Sequence, residues 1–103
     1  MEKDGVKSDK GKPLLYVIFK QFPNALAGVA TCSKFGHDKY ELNGDWDNWR
    51  RLEDAEFRYS NALIRHTVAD GEDPESGILH AAHAAWNALA RLELMLQNKK
   101  SKD

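Results

Sequence analysis

Residues 71–98 read GEDPESGILHAAHAAWNALARLELMLQN, and this stretch decides the fold. Gly71 is a natural end for a preceding helix. Asp73 is a good N-cap, Pro74 suits the first helical position, and Glu75 suits the first turn of a helix. The pattern predicts a helix from Asp73-Pro74 to about Asn98. Leu79, Ala82, Trp86, Leu89, Glu93 and Leu96 recur at core-facing spacing, with Glu93 the exception. The alanines at 81, 82, 84, 85, 88 and 90 let a neighbouring helix approach closely.

Working back along the chain, Leu52, Ala55, Tyr59, Ala62, Leu63 and His66 keep the same periodicity, so a helix is expected from about Trp46 to Ala69. Pro23-Asn24 opens an earlier helix through Phe35, with Leu26, Val29, Ala30 and Ser33 on one stripe and Gly36 as its stop. The polar connection from His37 to Asp45 holds Asn43-Gly44, a strong turn pair. The run Leu14–Phe19 is aromatic and β-branched and would suit a strand, yet no second run exists to pair with it. It is expected as an extended segment packed on helices. The class is all-α: a three-helix, antiparallel, bundle-like domain with an extended N-terminal arm. Residues 1–12 are expected as a flexible arm, 13–98 as a single all-α domain, and 99–103 as a flexible Lys-rich tail.

A chain of 103 residues with 42% hydrophobic content makes one small domain with a modest core. Three helices of this length leave an apolar face uncovered, which predicts a homo-oligomer, a dimer or higher. The lone Cys32 excludes an internal disulfide and a CxxC zinc site. There is no apolar run near 18 residues and no leader pattern at the start, so no membrane association is expected and the chain reads as soluble and cytoplasmic. The net charge is −1, but the lysines gather in the two tails. Between 13 and 98, eight Lys and Arg face twelve Asp and Glu, a charge of −4. Such a body makes nucleic acid a poor partner and a metal ion a better one.

Three of the four histidines bracket the turn after Ala69. His80 and His83 are three apart on one helical side, with Asn87 four further on, and His66 ends the stripe of the preceding helix. His66, His80 and His83 are the candidate catalytic residues. Together with Asp73 and Glu75 they are also candidate ligands of a divalent metal ion, Mg, Mn or Zn. Asp73 and Glu75 are equally explained by capping, and a histidine here by packing. Arg65 suits phosphate oxygens in a bidentate fork. Lys39, Tyr40 and Trp49 cluster near the first connection, where lysine meets phosphate and aromatics stack on a base. With Arg65 and Asn87 they form the candidate substrate-binding set. Glu53 and Glu56 form an ExxE pair that can place two carboxylates on one ion. His37-Asp38 is the dipeptide of HD-type phosphohydrolases, but it lies in the turn-rich connection and far from the other histidines in sequence.

These elements resemble the small phage proteins similar to the N-terminal domain of dATP/dGTP diphosphohydrolases. The resemblance rests on Gly11-Lys12-Pro13, Phe35-Gly36, Lys39-Tyr40, Asn48-Trp49 and Ala62-Leu63-Ile64-Arg65-His66. It is carried above all by Gly71-Glu72-Asp73-Pro74-Glu75-Ser76-Gly77 followed by His80-Ala81-Ala82-His83-Ala84. It spans about residues 5–96, specific in the C-terminal half and looser before it, where Leu15–Phe19 departs from the family pattern. It implies an all-α domain of a phage that cleaves purine deoxynucleoside triphosphates. MazG-type pyrophosphohydrolases resemble it more weakly, because their second acidic motif would have to be His80-x-x-His83. Two other readings stand beside the hydrolase. One is a non-catalytic phage protein that binds and sequesters a nucleotide, countering host defence signalling. The other is a helical interaction module with structural histidines.

Overall fold

The structure is a computed structural model that describes residues 5 and 8–102. Most of the expected N-terminal arm's first half, residues 1–4, 6 and 7, lies outside the described residues, as does Asp103. The described residues are all-helical, with four α-helices: α1 (Leu15–Gln21), α2 (Pro23–Lys39), α3 (Ala55–Thr67) and α4 (His80–Lys102). A single 3₁₀ turn (Asn48–Arg51) precedes α3. No helix among the described residues is long and apolar enough to cross a membrane.

The expected extended segment at Leu14–Phe19 is instead helix α1. An unpaired strand leaves its amides without partners, whereas a helix satisfies them internally. The Val17 amide bonds the Leu14 carbonyl at 3.0 Å, and the Phe22 amide bonds the Ile18 carbonyl at 3.0 Å. Pro23 has no N–H to continue the ladder and sits at the first position of α2. Helix α2 runs through Gly36, the expected stop, to Lys39. Gly36 keeps a helical backbone, and the left-handed residues that turn the chain come later, at Glu41, Asn43 and Gly44. Asn43 and Gly44 both have positive φ, and the Asp45 amide bonds the Leu42 carbonyl at 3.0 Å across them.

The helix expected from Trp46 to Ala69 is broken. Asp54 stands at φ 55°, a left-handed conformation that short polar side chains tolerate, and α3 begins only after it. The Tyr59 hydroxyl donates to the Trp49 carbonyl at 2.7 Å and pins the 3₁₀ turn onto α3. Burial pushes the Tyr59 phenol up to about 12, so it stays a donor. Trp49, Tyr59 and Trp86 pack edge-to-face with centroids 5.5–6.0 Å apart. The break also separates Glu53 from Glu56: Glu53 lies in the turn before α3 and Glu56 in its first turn, so ExxE forms no carboxylate pair on one helical face.

Helix α4 starts at His80, seven residues later than Asp73. Gly77, at φ 73°, turns the chain out of any helix begun at Pro74. The segment 71–79 folds into a tight hairpin-like turn instead, with an isolated antiparallel bridge between Glu72 and Leu79. Helices α3 and α4 pack against each other most extensively, and α2 crosses α4 where Gly28 approaches the Ala82 methyl. The buried residues of α4 are Asn87, Ala90 and Leu94; of the expected stripe, Ala82 and Trp86 are half-buried against α2 and α3, whereas Leu79, Leu89 and Leu96 are about half exposed. Among the described residues that core is slight: Cys32, Ala55, Ala90 and Leu94 are its buried apolar members. The radius of gyration is 17.3 Å, against about 13 Å for a compact chain of this size.

Candidate functional site

The turn between α3 and α4 is fastened by backbone bonds. The His80 amide bonds the Gly71 carbonyl at 2.9 Å, the Asp73 amide the Ile78 carbonyl at 2.8 Å, and the Gly77 amide the Asp73 carbonyl at 2.7 Å. This closure sets His80, at the start of α4, opposite His66 in the last turn of α3. Their Nδ1 atoms are 2.9 Å apart. Two neutral imidazoles in that position share one proton between them, or turn both lone pairs toward a common cation. Asp73 completes the group: one ligand atom each from His66, Asp73 and His80 lies within 4.8 Å of the others. Asp73 is not the helix N-cap expected of it. Its Oδ1 accepts the Glu75 amide at 2.9 Å and caps the turn.

His83, one helical turn on, stacks on the His66 ring (4.8 Å, 20°) and meets the edge of Phe35 from α2. Its Nε2 lies 2.7 Å from the Ser76 hydroxyl and 3.8 Å from Asp73 Oδ2. The Ser76 oxygen accepts the Ile78 amide at 3.1 Å. With one lone pair so used, the hydroxyl can still donate to or accept from His83 Nε2, according to the tautomer of the ring. Ser76 and Phe35 belong to the motifs quoted above but not to the candidate site residues. The spacing of Ser76 seven residues before His83 was visible, but only the turn gives it meaning.

The electrostatics favour the ligating forms of His66 and Asp73. Burial holds the His66 imidazole below its ordinary value, and the neighbouring His83 and His80 push the same way against Asp73. Burial likewise lowers His83, with Asp73 opposing. The Glu75 amide holds the Asp73 carboxyl below the usual carboxylate value, outweighing its desolvation. His66 and His83 are thus held toward the neutral form beside an ionised Asp73 carboxylate, the forms that metal coordination requires of an imidazole and a carboxylate. Two imidazole nitrogens and one carboxylate thus fit a divalent ion.

The same directions set a pH dependence. In the unfolded chain both histidines take up protons near pH 6.5, while the folded chain resists protonation until lower pH. The unfolded state then binds more protons in this window, so stability is complete above about 6.5 and is lost as pH falls below it. Asp73 acts in a separate window, below about pH 4. The denaturant midpoint of the metal-free protein should therefore be lower at pH 5.5 than at pH 7.5. A flat midpoint across that range would contradict the neutral, part-buried state of His66 and His83.

The other candidates take different places. Lys39, at the end of α2, pairs with the Glu75 carboxylate, which raises its ammonium, and so reaches the turn. Tyr40 lies under the Lys39 ammonium, 5.2 Å from ring centroid to Nζ, and is exposed. Arg65 is exposed in the last turn of α3, close enough for its charge to lower His66. Trp49 belongs to the aromatic cluster with Tyr59 and Trp86, under the Arg50 guanidinium. Asn87 is buried, and its amide donates to the His83 carbonyl at 2.8 Å, bracing the helix below that histidine. His37 sits in the last turn of α2, where its Nε2 accepts the Gly44 amide at 2.7 Å and its ring stacks on Trp46 at 3.9 Å.

No match to the chain was found among the curated proteins or among the solved structures. Residues 2–103 match the family model described as dATP/dGTP diphosphohydrolase, N-terminal, and the chain belongs to that family.

Proposed function

We propose that the chain is a metal-dependent nucleotide hydrolase that acts on purine deoxynucleoside triphosphates, with its divalent ion held by His66, Asp73 and His80. The observation that carries this reading is the convergence of those three ligand atoms within 4.8 Å across one fastened turn. The family description supports the substrate class. When bound there, a divalent ion would activate water and neutralise developing phosphate charge. Zn or Mn suits the mixed imidazole and carboxylate set better than Mg, which takes oxygen ligands.

The remaining groups bind and orient. His83, held by Ser76, fixes the His66 ring by stacking and serves as the proton-handling group beside the ligands. Lys39 and Arg65 meet phosphate oxygens, and an arriving phosphate competes with Glu75 for the Lys39 ammonium. The resemblance to phage proteins supports a reaction in the host cytoplasm.

A second reading, a phage protein that binds a nucleotide without cleaving it, is favoured by one feature. Asp73 already belongs to the ligand set, and Glu75 is engaged by Lys39, which leaves proton transfer to His83 alone. Incubation with a panel of nucleotides and Mg, Mn or Zn, read by chromatography of the products, separates the two. Metal-dependent turnover of purine deoxynucleotides supports hydrolysis. Tight binding without product supports sequestration, and neither result would leave the histidines a structural role.

A further inference from the structure

Three hydroxyls of the described helices end on backbone oxygens. Thr31, Ser60 and Thr67 each donate to the carbonyl four residues earlier, at 2.7–2.9 Å. Such a bond directs the hydroxyl hydrogen along the helix and offers it no base. Ser76 is placed differently. Its Oγ lies 2.7 Å from His83 Nε2, inside the roughly 2.6–3.2 Å reach of a nucleophile and its base. Other groups orient that base, as such a pair requires. The His83 ring stacks on His66 with centroids 4.8 Å apart and meets the edge of Phe35. The Ile78 amide donates to the same Oγ at 3.1 Å, a bond that strengthens as negative charge develops on the oxygen. Asp73 Oδ2 stands 3.8 Å from His83 Nε2, an anion beside the nitrogen that takes the proton. Gly77 follows at φ 73°, and no atom lies within 4 Å of where its Cβ would stand, so the chain leaves that side of the turn open.

We infer that Ser76 is a covalent nucleophile toward phosphorus, with His83 as its base. The inference rests on the hydrolase reading and names the group that attacks first in it. The pair acts in the tautomer that leaves His83 Nε2 as an acceptor. Ser76 Oγ bonds to phosphorus, its proton passes to Nε2, and the phosphorus–oxygen bond to the leaving group breaks. The leaving oxygen keeps the electron pair of that bond and takes the proton from Nε2. Water then attacks the serine ester and gives a proton to Nε2. Ser76 departs with the electron pair of its own bond to phosphorus and recovers that proton. One difficult displacement becomes two easier ones. Asp73 joins the pair to the His66–Asp73–His80 group, so nucleophile and ligand set share one turn.

A fluorophosphonate, which phosphonylates activated serines with loss of fluoride, tests the pair without metal or nucleotide. The metal-free full chain should be modified at Ser76, located by peptide mass spectrometry. Ser60, whose hydroxyl donates to the Glu56 carbonyl, should stay unmodified. Because both serines are compared within one folded molecule, this result does not depend on the stability of any variant. His83→Gln should slow the labelling by about a hundredfold or more, the usual contribution of a positioned base. Ser76→Ala should abolish it. No labelling at Ser76, equal labelling of Ser60, or a rate indifferent to His83→Gln would overturn the assignment. Labelling of Ser76 without turnover of any nucleotide would support the nucleophile and remove the hydrolase reading. Turnover without labelling would do the reverse.

Discussion

Asp73→Asn should lower divalent-metal affinity by about a hundredfold or more while leaving helix content unchanged. The substitution is nearly isosteric and keeps an Oδ1 acceptor for the Glu75 amide, so the turn that positions His80 survives. What it removes is the anionic member of the His66–Asp73–His80 group. Changing a group that merely supports a metal ligand costs about 10–100-fold in affinity, so loss of a ligand's charge should reach or exceed that. The readout is thermal. Zn or Mn at about a hundred times its dissociation constant should stabilise the wild type by roughly 2.7 kcal/mol, and the variant should show no comparable rise. Hydrolysis, where the wild type shows it, should vanish with the metal. An equal metal-induced shift in both proteins would remove Asp73 from the site.

Leu94→Ala should be the most damaging conservative change in the scaffold. Leu94 is among the few buried apolar residues and lines an open hollow with Ala55 and Ser60 between α3 and α4. Truncating a buried leucine typically costs about 2–5 kcal/mol, in lost transfer energy plus the cavity left behind. Whole domains are stable by only about 5–15 kcal/mol, and this core has few other members to compensate. A fall in melting temperature of about 10 °C or more is expected. Phe57→Ala, on the facing helix α3 but 73% exposed, should change stability by less than about 0.5 kcal/mol in the isolated chain. Comparable losses from the two would mean that the interior is not where the burial pattern puts it.

The sequence carried the helical class, the Asn43-Gly44 turn and the meeting of His66, Asp73 and His80, because each depends on short-range signals. Periodicity located the inward face of α3, where Ala55 is buried and Tyr59 and Ala62 are half-buried. The same signal misjudged α4, which has two candidate faces. A leucine stripe looks like a core to any single-chain reading, but the Ala90 side admits a neighbour more closely. The start of α4 was misplaced because Asp-Pro-Glu is a good helix opening in isolation. Only the left-handed Gly77 and the Glu72–Leu79 bridge overrule it, and both follow from how the turn closes. The 3₁₀ break before α3 had no local marker, since Asp54 in a left-handed conformation resembles any other aspartate in the sequence. Ser76 and Phe35 stand outside the candidate site set for a related reason: a hydroxyl and a phenyl acquire a role only through what folds beside them.

The fastened turn between α3 and α4 also bears on the order in which the molecule takes shape. Contacts between residues near in sequence close faster than distant ones, since less chain entropy is lost. His66, Asp73, Ser76, His80 and His83 all fall within this one helical hairpin, the most extensively packed pair in the molecule. From α2, the ring of Phe35 meets His83, and Lys39 pairs with Glu75 in the same turn. The proposed ligand set is thus encoded in a unit of short sequence separation. The first half of the chain is left free to vary in sequence without dismantling the ligand set.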